Sequence, residues 1–81
     1  PHPQYTAVLD EPLDSDGRES YLRATARLEQ GKYYSKLAKN QSSANIYALV
    51  HANALLIVPS GVKSLPVGSE VKFIRIGNEG E

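Results

Sequence analysis

Residues 40–59, NQSSANIYALVHANALLIVP, contain three successive signals that set the order of the elements around them. Ser43 is suited to the N-cap of a helix, because its side-chain oxygen can accept a hydrogen bond from a free amide of the first turn. Apolar residues then recur at the i, i+3 and i+4 spacing of one helical face: Ile46, Leu49 and Val50. The sequence therefore predicts one short helix at about residues 43–52.

The end of this helix is predicted at Asn53, since asparagine tolerates the left-handed conformation in which many helices terminate. The apolar run LLIV at 55–58 follows directly and is closed by Pro59. A short apolar run with such a boundary is typical of a buried strand. The expected order is helix, stop, strand.

The clearest alternation of the chain precedes this stretch, at residues 20–29, and places four apolar side chains on one face: Leu22, Ala24, Ala26 and Leu28. Arg23 and Arg27 share the polar face, about 13 Å apart at roughly 3.3 Å per residue, too far to hold one phosphate together. Gln30 and Gly31 then form a tight connection to a second strand at 32–38. This segment predicts a β-hairpin.

Shorter strands are predicted at both ends of the chain. Residues 4–10 place three residues on one side, namely Tyr5, Ala7 and Leu9, and a last strand covers 71–76. Residues 10–19 form a loop in which Gly17 supplies a positive φ, and residues 60–70 form a loop with at most short pairing. The fold class is therefore mainly β, a small barrel-like domain with one short α-helix. We expect one domain over 1–81, with frayed ends at 1–3 and 77–81.

Composition narrows the class of protein. A chain of 81 residues has room for one small core, and the absence of Cys fits a reducing compartment, so we expect a cytoplasmic protein. The longest apolar run is far below the roughly 20 residues of a membrane-spanning helix. Because the chain opens on Pro rather than Met, we interpret it as a piece of a larger protein.

A net charge of zero conceals an uneven distribution. All nine basic residues lie between Arg18 and Arg75 with only three acidic ones, so this segment carries 9 − 3 = +6 and the ends carry −6. A basic body attracts anionic ligands, although solvated strand faces would give the same pattern. A nucleic-acid partner is not expected, since few aromatic residues are available for stacking bases.

Five short elements follow one another in a distinctive order and spacing: Gly17-Arg18, Tyr21-Leu22-Arg23-Ala24, Asn40-Gln41-Ser42-Ser43, Ala52-Asn53-Ala54-Leu55 with Pro59, and Gly68-Ser69-Glu70-Val71. By this order and spacing, which covers nearly the whole chain, the chain resembles the C-terminal domain, domain IV, of the molybdopterin molybdenumtransferases of MoeA and gephyrin type.

This resemblance implies a function for the parent protein. The family inserts molybdate into adenylylated molybdopterin with Mg²⁺ and works as a homodimer, whose active cleft lies between domains of both subunits. Domain IV resembles a β-clip fold and lines this cleft without holding the metal or the nucleotide. The chain would therefore be an accessory domain with no cofactor of its own. Its partners would be the remaining parent domains, a second subunit and the anionic pterin substrate.

The resemblance also selects site residues. Its aromatic-x-Arg element matches Arg23, with Tyr21 where Phe is more usual, and its Gln-Gly-Ser element matches Gln41, Ser42 and Ser43, with Ser42 in the place of Gly. From the residues themselves, Arg23 can bind a phosphate with two parallel hydrogen bonds, and a helix N-terminus at Ser43 favours an anion. Arg18 is a further candidate, unless it pairs with an acidic loop residue such as Asp16.

No set of residues predicts independent catalysis. The sequence contains no recognisable nucleophile with its base and no phosphate-binding glycine loop, and His2 and His51 lack metal-spaced partners. An alternative function is a protein-interaction module of a gephyrin-like scaffold, with Tyr33, Tyr34 and Tyr47 as anchors. Alternating tyrosines are, however, more often half-buried packing.

Overall fold

A computed structural model describes residues 3–38 and 52–76, and this part of the chain is built from β-strands. The strands in chain order are β1 (Tyr5–Leu9), β2 (Leu13–Asp14), β3 (Ser20–Glu29), β4 (Lys32–Leu37), β5 (Ala54–Val58), β6 (Ser64–Leu65) and β7 (Glu70–Arg75). The predicted mainly β, barrel-like fold class is confirmed. Within the described residues there is no helix of the length and apolarity needed to cross a membrane.

Five of the strands close into a barrel in the order β1-β4-β3-β5-β7, with β7 returning to β1. The β1–β4 pair is parallel, and Ala7 lies opposite Tyr33 in it; the other four pairs are antiparallel. Closure gives every barrel strand two neighbours and leaves no continuous open edge.

The barrel interior is filled by alternate residues of the strands, as a pleated backbone requires. The core consists of Ala7, Leu9, Leu13, Ala24, Ala54, Leu56, Val58, Val71 and Phe73. Ser35 is the buried polar residue of this region, and its hydroxyl donates to the carbonyl oxygen of Thr25 at 2.8 Å. The predicted inward face of β1 is confirmed, since Ala7 and Leu9 are buried and Tyr5 is half-buried.

The predicted hairpin is the β3–β4 pair, in which Glu29 lies opposite Lys32. Gln30 and Gly31 connect the strands with positive φ angles of 52° and 80°. Two successive positive φ values are those of a type I′ turn, whose twist matches the twist of the strands it joins. Gly31 thus supplies the backbone freedom expected of it.

β2 and β6 form a separate two-stranded ribbon that packs against the core of the barrel. Leu13 in β2 lies opposite Leu65 in β6 and is buried in the core. The ribbon continues through Gly17, whose carbonyl oxygen accepts from the amide of Gly61 at 2.8 Å. Gly17 has a φ of 88°, as predicted, whereas β2 falls within a segment that was predicted to be entirely loop.

The predicted helix at 43–52 lies outside the described residues except for Ala52, which is not helical. The left-handed conformation predicted for Asn53 is wrong, because its φ is not positive. Its side-chain amide instead bonds the backbone of Ala26 in β3: Oδ1 accepts from the amide at 2.7 Å and Nδ2 donates to the carbonyl at 3.0 Å. This side chain takes the place of a strand residue next to β3.

Asn53→Ala should therefore lower the free energy of unfolding by about 1–2 kcal/mol, because both backbone groups of Ala26 lose their partner. Urea denaturation followed by circular dichroism measures the change. Asn53→Asp keeps the acceptor but not the donor and should be destabilising as well. An Asn53→Ala variant as stable as the parent chain would show that water replaces the amide at no cost.

Candidate functional site

Arg23 lies on the outer face of β3, near the middle of the strand, and is exposed. Its backbone is held on both sides, since its carbonyl oxygen accepts from the amide of Ala38 at 3.0 Å and its Cα pairs with Leu55 of β5. Its guanidinium group makes no ion pair with any residue that the structure describes. A strand that is paired on both sides therefore carries an arginine that is available to an external anion.

Arg27 shares this outer face but is engaged within the domain. Its guanidinium donates to both carboxylate oxygens of Asp10, one of them at 3.4 Å, and to Glu29 at 2.7 Å. It also lies over the ring of Tyr34, with Cζ 5.0 Å from the centroid. Hydrogen bonds to Asp10 and then to Glu29 raise the pKa of Arg27 above its ordinary value. Arg27 thus links β3 to Asp10, the residue that follows β1.

Lys36 is a second cation near Arg23 that the sequence analysis did not select. It is exposed and lies opposite Thr25, so it occupies the position diagonal to Arg23 on the same outer face. Diagonal neighbours on antiparallel strands are about 7–8 Å apart, within reach of long side chains. Because a two-residue turn fixes the register of a hairpin, the sequence alone would have placed Lys36 opposite Thr25 and therefore near Arg23.

Arg18 lies in the loop before β3 and is exposed. The ion pair with Asp16 that was considered for it is not formed: the backbone amide of Arg18 donates to Oδ1 of Asp16 at 3.0 Å instead. Its carbonyl oxygen accepts from the hydroxyl of Ser20 at 2.9 Å. From Ser20 to Arg23 the strand alone spans about 10 Å, so the backbones of Arg18 and Arg23 are well separated.

The other predicted site residues, Gln41, Ser42 and Ser43, lie outside the described residues, as do both histidines. The described chain stops at Ala38, directly beside Arg23, and resumes at Ala52. In residues 3–38 and 52–76 no group of three or more His, Asp or Glu side chains could hold a metal ion.

Two of the tyrosines considered as anchors for a partner are engaged within the domain. The Tyr33 ring packs on Phe73 at 5.2 Å and on Tyr5 at 5.7 Å between centroids, and Tyr34 is covered by Arg27. Tyr47 lies outside the described residues. Tyr33 and Tyr34 therefore serve packing, as alternating tyrosines commonly do.

Comparisons with known proteins agree with this fold. The family model of the MoeA C-terminal region (domain IV) matches residues 6–76. Among solved structures, the chain is similar to the molybdopterin biosynthesis moeA protein from Pyrococcus horikoshii OT3, with a TM-score of 0.64 and 22% sequence identity. A search of curated proteins finds no match.

The two kinds of match cover different shares of the proteins compared. The structural match includes 93% of this chain but 19% of the Pyrococcus chain, so the present chain spans about a fifth of that protein. The family model runs from β1 to the residue after β7 and includes every strand of the barrel. The chain therefore belongs to the MoeA C-terminal region (domain IV) family.

Proposed function

We propose that this chain is the C-terminal accessory domain of a molybdopterin biosynthesis protein, which inserts molybdate into adenylylated molybdopterin. The domain lines the active cleft and does not catalyse alone. The observation that carries the proposal is the state of Arg23, which is exposed on a strand that is paired on both sides and makes no ion pair with the described residues.

The contrast with Arg27 supports a binding role. Both arginines lie on one face of one strand, but Arg27 is neutralised by Asp10 and Glu29, whereas Arg23 has Lys36 diagonal to it and no carboxylate partner in the described part. Two neighbouring cations without internal partners raise the local concentration of phosphate-bearing ligands. The planar guanidinium can bind a phosphate through two parallel hydrogen bonds.

The rest of the proposed site comes from the family resemblance. Gln41, Ser42 and Ser43 would form an anion-binding rim with Arg23, and Arg18 would contribute a more distant charge. By the same resemblance, Mg²⁺ and molybdate would be held by the remaining parent domains and a second subunit of a cytoplasmic homodimer. The pterin substrate would lie between those domains and β3.

Arg23→Ala in the intact parent protein tests the proposal. We expect kcat/KM for molybdate-dependent AMP release from adenylylated molybdopterin to fall about tenfold, the effect of losing a charge-assisted hydrogen bond. Arg23→Lys keeps the charge but not the two parallel hydrogen bonds, so its kcat/KM should lie between those of the parent protein and Arg23→Ala. Binding of adenylylated molybdopterin, measured by calorimetry, should weaken in the same order.

Lys72→Gln is the matched control. Lys72 lies on the outer face of β7 and donates to the Thr6 hydroxyl at 3.0 Å, so this variant removes one exposed positive charge away from Arg23. Its activity should equal that of the parent protein. The proposal fails if Arg23→Ala, with an unchanged circular dichroism spectrum, binds and turns over the substrate as the control does.

A further inference from the structure

We propose that the barrel has a second binding site, at its hairpin end, for an extended peptide that finishes in an apolar residue with a free carboxylate. The hairpin end is formed by the turn at Gln30 and Gly31, the first residues of β1 and β5, and the last residues of β7. This site does not depend on Arg23, and three independent features define it.

The first feature is an open pocket of about 320 Å³, lined by Ala26, Leu28, Tyr33, Asn53, Phe73 and Arg75. Its volume is at the lower end of the range for ligand pockets, about 300–1,000 Å³, and suits one large side chain. Phe73 is fully buried beneath it, whereas Leu28 is 59% exposed at its rim. Covering Leu28 would remove apolar surface from water and stabilise a complex.

The second feature is an unpaired length of β3. The carbonyl of Ala24 faces β5 and accepts from the Asn53 amide at 3.0 Å, and the backbone of Ala26 faces the same side and bonds the Asn53 side chain. Because backbone groups alternate in direction, Leu28 is the next residue to face that side. Since β5 starts only at Ala54, no described residue pairs with Leu28 there. An added strand can bind such an edge.

The third feature is the charge of Arg75. Arg75 lines the pocket, and its guanidinium Cζ lies 5.9 Å from the centroid of the Tyr5 ring. The guanidinium makes no ion pair with the described residues. Arginine binds a carboxylate with two parallel hydrogen bonds. A backbone edge, a pocket that contains the apolar side chains of Leu28 and Phe73, and a cationic receptor together match the backbone, the apolar side chain and the carboxylate of a peptide C-terminus.

The probe is the peptide N-acetyl-Thr-Val-Phe with a free carboxylate, titrated into the ¹⁵N-labelled 81-residue chain and followed by amide chemical shifts. We expect saturable shifts at Leu28, Asn53 and Arg75. The same peptide as a C-terminal amide should bind about tenfold more weakly, because it lacks the charge that Arg75 would bind. Equal binding of acid and amide would overturn the proposal.

Variants of the chain test the same assignment. Arg75→Gln should reduce affinity for the acid to that for the amide, whereas Lys72→Gln, which removes an equivalent charge outside the pocket, should leave both affinities unchanged. Ala26→Leu fills the pocket and should abolish binding while residue 75 remains an arginine. If Arg75→Gln does not fold, the pair of peptides and Ala26→Leu still decide the question.

A small carboxylate distinguishes a peptide site from a simple pocket. 3-Phenylpropionate has the aromatic group and the charge but no backbone to pair with Leu28. It should bind at least about tenfold more weakly than the acid peptide, and shifts at Leu28 should be absent. Equal affinity for the two acids would overturn the added-strand model, and the absence of saturable shifts with either acid would overturn the site.

Discussion

Phe73→Ala should lower the free energy of unfolding by about 4 kcal/mol. Phe73 is fully buried, and its ring packs on Tyr5 at 5.5 Å and on Tyr33 at 5.2 Å between centroids. Truncation removes the buried ring and leaves a cavity, and large-to-small changes of this kind cost about 3–5 kcal/mol. An 81-residue domain has a total stability of about 4–12 kcal/mol, so much of it would be lost.

Urea denaturation monitored by circular dichroism measures this loss, and Phe73→Leu is the graded control. Leucine keeps most of the apolar volume and should cost less than about 1.5 kcal/mol. A loss below about 1 kcal/mol for Phe73→Ala would contradict the packing described for the three rings, since it would require the barrel to close over the cavity.

Ala24→Leu should lower the free energy of unfolding by about 3 kcal/mol, because it overfills the core instead of leaving a cavity. Ala24 is fully buried at the middle of β3 and pairs with Leu37 on one side and with Ala54, also fully buried, on the other. Extra methylene groups placed there have no free volume and force the strands apart, which typically costs about 1–3 kcal/mol. The denaturation midpoint in urea should fall accordingly.

Ala26→Leu provides a matched comparison, because it adds the same atoms two residues further along the same inward face of β3. Ala26 lines the open pocket at the hairpin end, where a larger side chain has room. The free energy of unfolding of the Ala26→Leu variant should differ from that of the parent chain by less than about 1 kcal/mol. Equal losses at positions 24 and 26 would mean that the two ends of the β3 interior are packed alike, contrary to the structure.

Local patterns were sufficient for much of the barrel. The alternation in residues 20–29, the two-residue connection at Gln30 and Gly31, and the strand after it predict the β3–β4 hairpin and its register, because all three signals act between near neighbours. The strand at β5 was equally visible as a short apolar run ending at Pro59.

Pairings between distant segments could not be predicted in this way. The β2–β6 ribbon has two residues in each strand, too few to show a period, and it pairs Leu13 with Leu65, which lies 52 positions later in the chain. The conformational tolerance of Asn53 predicts a left-handed backbone, but its φ is not positive, and its side-chain amide bonds the backbone of Ala26, 27 positions earlier in the chain. Such tertiary contacts override local preference.

In the candidate site, too, local patterns predict one part and contacts between distant segments decide the other. Alternation placed Arg23 and Arg27 together on the outer face of β3, and nothing in that pattern separates them. The two arginines differ because of the fold, which brings Asp10, 17 positions earlier in the chain, into contact with Arg27. Arg23 has no carboxylate partner among the described residues. A binding role for one and a structural role for the other follows from the neighbouring strands.

The pairing of β1 with β7 has a consequence for how the barrel forms during synthesis. β7 lies between β1 and β5, so the N-terminal strand lacks one of its two neighbours until the ribosome has released Arg75. Pairing over such long sequence separation slows folding and leaves strand edges exposed in the nascent chain. We therefore expect the barrel to close after translation of the domain, in one cooperative step.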